Sequence, residues 1–202
     1  MIVIIDYGVG NLSSVYSAFK RIDLDPVITR DHKLIDQAEA IILPGVGAFP
    51  VAMDNLKKYD LLDILNKKKN DGTPILGICL GMQILFEKGY EVRPTKGLGF
   101  INGEVKFMDI DEKIPHMGWN QLHINHNHPI TSKIDEDDDV YFVHSYMAHV
   151  PDDQLIAYTD YGNVKVPAIV SKGNVIGCQF HPEKSGTVGR NILLAFKEMI
   201  KC

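Results

Sequence analysis

The feature that most constrains this chain is an alternation that runs through its first half. Short runs that are apolar almost without interruption (Met1–Ile5, Pro26–Thr29, Ala40–Leu43, Pro74–Ile78) are separated by stretches of helical period over Asn11–Ile22, Val51–Lys58, Leu61–Lys69 and Gly81–Lys88. A strand with no polar side must be buried on both faces, and strands joined through helices run parallel. The pattern predicts an α/β fold with an open, largely parallel sheet flanked by helices. The second half changes character. Gly103–Phe107, Val140–Val143, Gln154–Tyr158, Ala168–Ser171 and Val175–Phe180 are divided by turn signals and predict an antiparallel strand region. A last helix over Thr187–Lys201 carries a core-facing stripe at Val188, Ile192, Leu193, Phe196 and Ile200.

At 202 residues, with no repeat, linker or break in composition, the chain is expected to form a single domain over 1–202. Lys and Arg number 21 against 26 Asp and Glu, a net charge of −5, which argues against a nucleic-acid partner because phosphate contacts need clustered cations. No run approaches the ~18 apolar residues of a membrane span, and MIVIIDYG lacks the features of a secretory leader. A cytoplasmic location is the expectation. Cys79, Cys178 and Cys202 are an odd, widely spaced set, which fits neither a disulfide scaffold nor a structural zinc site. His123, His126 and His128 in HINHNH have no carboxylate or cysteine at ligand-like spacing and read as a polar loop, so no metal is expected. Asp135–Asp139 reads as a solvated loop lacking the glycine and spacing of an EF-hand.

The strongest local signal is Pro74-Ile-Leu-Gly-Ile-Cys79-Leu-Gly-Met-Gln. A buried strand enters Gly77-Ile78-Cys79-Leu80-Gly81 and a helical pattern follows at once, which is the cysteine form of the G-x-S-x-G nucleophile elbow. Small residues on either side permit the sharp turn, and the N-terminus of the following helix would favour thiolate over thiol. The Leu80 N–H would point into the same space and suit an oxyanion. The alternative is a buried cysteine acting as a small hydrophobe. Cys178 lies inside an apolar strand pattern and reads as core.

A thiol nucleophile needs a base, and the base needs an orienting group. Near the C-terminus the chain reads Gln179-Phe-His181-Pro182-Glu183-Lys184-Ser. Residues two apart in extended backbone project to one side, and Pro182 pushes His181 out of the helical region. Glu183 could then orient His181 toward a thiol, as in a nucleophile–base–acid triad. A strand-ending His-Pro turn with a surface glutamate is the plainer alternative. Two glycine loops also follow strands. Asp6–Ser13 lacks the third glycine of a dinucleotide fingerprint, so no nucleotide cofactor is expected. Leu43–Phe49, containing Gly45 and Gly47, could bring backbone N–H groups to a second oxyanion position or be a simple tight turn.

Together, GICLGMQ and QFHPEKS resemble the two signature segments of the class I (triad) glutamine amidotransferases, in the family's order and across the whole chain. IIDYGVGNLSSV, LPGVGAF and PHMGWNQL resemble, within that family, the glutaminase subunits of imidazole glycerol phosphate synthases. The resemblance implies a flavodoxin-like sheet, L-glutamine as substrate, no cofactor and a Cys79–His181–Glu183 triad. It also implies Gly47 and Leu80 as oxyanion donors, and Gln83, Glu91, Ser145 and Tyr146 as holders of the glutamine α-amino and α-carboxylate groups. Asn11, Trp119 and Lys184 match positions at a partner interface and ammonia exit. The implied partner is a (β/α)8-barrel cyclase subunit that turns the phosphoribulosyl formimino substrate PRFAR into imidazole glycerol phosphate and the carboxamide ribotide AICAR in histidine biosynthesis. Three other readings stay open: a stand-alone γ-glutamyl cysteine hydrolase of the same sheet architecture, an amidotransferase subunit of another biosynthetic synthase, and a subunit whose triad is vestigial.

Overall fold

The computed structural model describes residues 1–200, so Lys201 and the third cysteine, Cys202, lie outside the described residues. The first half alternates as its pattern requires: β1 (Ile2–Ile5), α1 (Leu12–Lys20), β2 (Val27–Thr29), α2 (His32–Asp36), β3 (Ala40–Gly45), α3 (Phe49–Lys58), α4 (Leu62–Asn70), β4 (Ile75–Cys79) and α5 (Leu80–Gln83). Short strands follow: β5 (Lys88–Gly89), β6 (Thr95–Lys96), β7 (Glu104–Phe107), β8 (His116–Gln121), β9 (His123–Ile124), β10 (Asp139–His144), β11 (Tyr146–His149), β12 (Leu155–Tyr161), β13 (Val164–Lys172) and β14 (Val175–Cys178). Helix α6 (Gly186–Ile200) closes the described chain.

The main sheet has the order β2-β1-β3-β4-β14-β13-β12-β9. Its first five strands are mutually parallel and its last three antiparallel. The turn signals place β14 among the antiparallel strands, and the structure corrects this by half. The strand does pair antiparallel with β13, but it runs parallel to β4, with Gly177 opposite Gly77 and Cys178 opposite Ile78. The chains leaving β4 and β14 therefore emerge at the same sheet edge, which is where open α/β sheets bind ligands. A four-stranded sheet (β11-β7-β5-β6) and a two-stranded ribbon (β10-β8) are built above that edge.

Alternate residues of β1 feed opposite cores. Ile2 and Ile4 pack with α1 and α6, while Val3 and Ile5 pack with α2, α3 and α4. The α6 stripe behaves as expected: Ile192, Leu193 and Phe196 are buried, with Val188 and Ile200 packed at the margin. The five-residue α2, capped by the Asp31 side chain, is too short to show a period in the sequence. No helix among the described residues is long and apolar enough to cross a membrane.

The helix expected over Gly81–Lys88 is shortened to the single turn of α5. The reason is competition for its carbonyls. Ile84, Leu85 and Phe86 are fully buried, and their C=O groups accept N–H donors from Leu98, Phe100, Ile101 and Gly99 in place of amides one turn on. Hydrogen bonds from a packed neighbouring segment end the helix where local propensity would continue it.

Candidate active site

Cys79 ends β4 and adopts φ +55°, ψ −112°, a left-handed conformation that a residue with a side chain seldom holds. The neighbours make the elbow possible. A Cβ on Gly81 would lie 1.7 Å from the Leu43 carbonyl oxygen, and one on Gly77 would lie 2.6 Å from the Gly81 carbonyl oxygen. Only glycine fits where the turn folds back onto β3. Because α5 is a single turn, the helix-dipole assistance expected from the sequence is weak. The Gln179 Nε2 donates toward Sγ at 3.8 Å, and the thiol points at the Val143 carbonyl oxygen at 3.9 Å.

His181 lies just beyond β14, and the parallel pairing of β14 with β4 is what carries it to the thiol. Its Nδ1 donates to Glu183 Oε1 at 2.8 Å, with both side chains almost fully buried. The pairing is not made by strand alternation as expected. His181 is extended, but Pro182–Lys184 forms a 3₁₀ turn, and the His181 carbonyl accepts from Lys184 N–H at 2.9 Å and Ser185 Oγ–H at 2.7 Å. Proline suits the first position of such a turn, whose tightness swings Glu183 back under the ring. Glu183 Oε2 is buried without a hydrogen-bond partner among the described residues. Burial disfavours the imidazolium, but the hydrogen-bond contacts with Cys79 and Glu183, together with their charges, outweigh it and push the His181 pKa up to about 9. The ring is thus protonated at neutral pH, poised beside a sulfur as an acid.

A cavity of about 260 Å³ opens on Cys79 and is lined by Val46, Gly47, Leu80, Gln83, Glu91, Val143, His144, Ser145, Tyr146, His181 and Lys184. It is not the largest depression. One of about 670 Å³ lies by Glu87, Gly103 and His149, but it holds no comparable cluster of reactive groups. The structure thus gathers Gly47, Leu80, Gln83, Glu91, Ser145, Tyr146 and Lys184 around the Cys79–His181 pair. Asn11 and Trp119 do not line this cavity. Asn11 caps α1, its Oδ1 accepting from Ser14 N–H at 3.2 Å, and Trp119 stands exposed on β8 against Tyr141.

Two of the lining residues are tied down. Gln83 Nε2 donates to the Tyr146 carbonyl and to Gln179 Oε1, both at 3.0 Å, which leaves only its Oε1 for a ligand. Glu91 Oε2 accepts from Phe49 N–H at 2.7 Å, capping α3 where Ala48 offers no side-chain acceptor. That bond fastens Glu91 to the end of the Val46–Ala48 loop. Val92, β-branched and at φ +60°, and an Arg93–Asp54 ion pair at 2.5 Å hold the turn that presents Glu91.

Sequence reasoning missed Gln179, His144 and His116. Gln179 is fully buried and bridges Gln83 to the thiol. A glutamine in the apolar run Val-Ile-Gly-Cys-Gln-Phe is the signal that marks it. His116 and His144 meet only across the β8–β10 ribbon, at 3.0 Å. The HINHNH expectation also needs correction. Carboxylates do reach His123, supplied by the distant Glu136 at 3.0 Å and Asp137 at 3.4 Å, on an exposed turn where Glu136 also accepts from Ile124 N–H. These groups pair with one another, and nothing further at that turn points to an ion.

Comparison with known proteins follows the same lines. Residues 3–201 match the family model described as glutamine amidotransferase class-I. The chain is 60% identical over 199 residues to the imidazole glycerol phosphate synthase subunit HisH of Lactococcus lactis subsp. lactis (strain IL1403), covering 98% of each. It is 47% identical to the same-named subunit of Bacillus cereus (strain ATCC 14579), covering 100% of this chain and 96% of the relative. Among solved structures, a glutamine amidotransferase crystal structure superposes with TM-score 0.79 at 18% identity over 100% of both chains, and the structure of PurLQS from Thermotoga maritima with 0.77 at 21% over 98% of both. At such identities these two speak for the fold alone. The chain belongs to the class-I glutamine amidotransferase family.

Proposed function

We propose that the chain, as one domain over 1–202, is the glutaminase subunit of an imidazole glycerol phosphate synthase, hydrolysing L-glutamine and passing ammonia to a cyclase subunit. What carries the chemistry is a cysteine held at φ +55° above the sheet edge beside a buried His181–Glu183 pair. What supports the pathway is the name borne by relatives that match end to end.

In this reading the Cys79 thiolate attacks the side-chain amide carbon of glutamine. Leu80 N–H and a Gly47 peptide N–H stabilise the tetrahedral oxyanion, preorganised donors of this kind each contributing about 3 kcal/mol. His181 gives its proton to the departing nitrogen, so the C–N bond breaks and ammonia leaves while a glutamyl thioester forms. Water then adds to the thioester with His181 as base, and glutamate and the thiol are restored. Glu91 and the Gln83 carbonyl face the α-ammonium, and Ser145 and Tyr146 the α-carboxylate. Glu183 holds the imidazole through Nδ1, which directs Nε2 to the sulfur.

Ammonia that meets bulk water is protonated and no longer nucleophilic, so it needs a covered path to an acceptor site. The reading assigns Asn11, Trp119 and Lys184 to the docking face of a (β/α)8-barrel cyclase. Met117 and Trp119 support this: both stand more than half exposed on one face of β8, a solvent-facing apolar pair of the kind that marks an interface. Gly47 sits at φ +120° with open space around its α-carbon, so the loop can turn an N–H into or out of the oxyanion position. The test is glutamate release with and without the cyclase and PRFAR. Stimulation by the pair is expected. Strong turnover by the isolated chain that the pair leaves unchanged would favour the stand-alone hydrolase.

A further inference from the structure

A polar chain that the mechanism above does not use runs through the interior from the β8–β10 ribbon to the cavity. His116 and His144 are directly opposed across the two strands, and both are buried. His116 Nδ1 lies 3.0 Å from His144 Nε2, and His116 Nε2 lies 2.8 Å from Asn120 Oδ1. His144 Nδ1 lies 2.8 Å from the Tyr146 carbonyl oxygen, the same oxygen that accepts from Gln83. The His116 ring is stacked between Phe142 and Tyr161, with centroids 4.7 Å and 4.0 Å away, so it cannot swing out to another partner.

With both rings neutral, as their burial favours, one arrangement of protons remains, and it turns the Asn120 carboxamide end for end. A carbonyl oxygen only accepts, so His144 must carry its proton on Nδ1. A neutral His144 then offers a lone pair at Nε2, which requires His116 to donate from Nδ1. His116 Nε2 is left as an acceptor, which the Asn120 carboxamide serves with its NH2 once its oxygen and nitrogen exchange places; with Oδ1 facing the ring, Nε2 would have to donate and one of the two rings would carry a charge. Both rings stay neutral. Burial drives the His144 pKa down to about 3, with His116 and the His181 imidazolium adding to the effect against the hydrogen bond to Tyr146. Burial lowers that of His116 too.

We propose that His144 is a positioning residue for glutamine. His116 locks it in the Nδ1–H form, and its bond to the Tyr146 carbonyl holds Ser145–Tyr146 in the shape that receives the substrate's α-carboxylate. The proposal rests on the glutaminase reading and deepens it. Tyr146 opens β11 with only Ser145 between it and the end of β10. Two side chains grip its carbonyl, Gln83 from α5 and His144 from the ribbon. Removing the second donor frees the peptide that faces the substrate and leaves the thiol, His181 and Glu183 untouched.

The test uses the heterodimer with PRFAR and two variants. His116→Leu keeps the volume and deletes the donor, whereas His116→Asn keeps a donor near the Nδ1 position. His116→Leu is expected to raise the KM for glutamine about 10-fold, as for one buried hydrogen bond, with kcat changing less than about 3-fold, and His116→Asn to recover most of the loss. Equal effects of the two variants, or a collapse of kcat at constant KM, would overturn the proposal. A second measurement needs no turnover: histidine ¹⁵N spectra of the isolated wild-type chain should show two buried rings, His116 and His144, each with Nδ1 protonated and Nε2 bare from about pH 5 to 8. A His144 signal with a protonated Nε2, or one that titrates in that range, would refute it. Failure of the wild-type heterodimer to release glutamate would count against the glutaminase reading alone, and the spectra would still decide the tautomer.

Discussion

Two glycine-containing loops meet at Cys79, and their glycines are there for opposite reasons. At Gly81 a Cβ would stand 1.7 Å from the Leu43 carbonyl oxygen, whereas at Gly47 it would meet nothing within 4 Å. Gly81 is demanded by packing: the elbow is pressed onto β3, and the side chain has nowhere to go. Gly47 is demanded by conformation, since φ +120° strains any L side chain however much space surrounds it. One region of the site is a rigid anvil built on the sheet. The other is a loop tied at one end, by Phe49 N–H to Glu91. In the proposed mechanism, a site with this division places the nucleophile once and leaves an oxyanion donor adjustable.

This division can be broken in several ways, the largest effect first. If the chemistry resides on the rigid side, Cys79→Ala should lower partner-stimulated glutamate release by at least about 10⁴-fold with the melting temperature nearly unchanged. Residual turnover well above that floor would move the nucleophile elsewhere. Gly47→Pro removes a loop N–H and forces φ from +120° to about −65°; it should cost about 10²–10³-fold in the same assay, together with about 1–3 kcal/mol of stability. Full stimulated activity in this variant would remove the loop from the mechanism. Gly81→Ala should act through packing instead, destabilising the fold by about 3 kcal/mol, at the upper end of overpacking effects, as read by chemical denaturation. Gly47→Ala in the same denaturation series should cost about 1–2 kcal/mol, from backbone strain at φ +120° and not from overlap, clearly less than Gly81→Ala, and equal losses for the two alanines would erase the distinction.

pH separates two histidines in the same way. His181 is raised to about 9, so the proton that the proposed mechanism gives to the departing ammonia is present at neutral pH. Glutaminase turnover should therefore fall as pH rises through about 9, and a rate profile that stays flat to about pH 10 would contradict the acid role. Its raised pKa also stabilises the fold fully below the unfolded value, about 6.5, and that contribution fades as pH rises through about 9. His144 has the opposite sign: its pKa is depressed to about 3 in the fold, so between about 6.5 and 3 the unfolded chain binds the extra proton and stability falls as pH drops. Acid denaturation followed for wild type and His144→Asn measures this, and an unchanged acid limb would sink it.

Much of this was legible in the sequence, because it is carried by short-range pattern. Continuous apolar runs marked β1, β3 and β4 as buried parallel strands, the 3.6-residue stripe marked α6, and Gly-x-Cys-x-Gly marked the elbow. Other features were illegible for identifiable reasons. The helix after Cys79 stops after one turn because Leu98, Gly99, Phe100 and Ile101 take its carbonyls, and no local propensity encodes that theft. His123 finds Glu136 and Asp137 because a turn folds back over the end of β9, a matter of loop path and not of spacing.

The sequence by itself determined which residues carry reactive chemistry and which strands are buried, since side-chain type and periodicity are properties of a chain segment. Only the tertiary structure decided which of them meet. Cys79 and His181 are far apart in sequence and face one another because β14 inserts parallel to β4, in register from Val175 opposite Ile75 to Cys178 opposite Ile78. That register is set by hydrogen bonding and burial across the sheet, summed over contacts distant in sequence. The same holds for the His116–His144 pair, whose protons are placed by partners on two strands and a carbonyl beyond them.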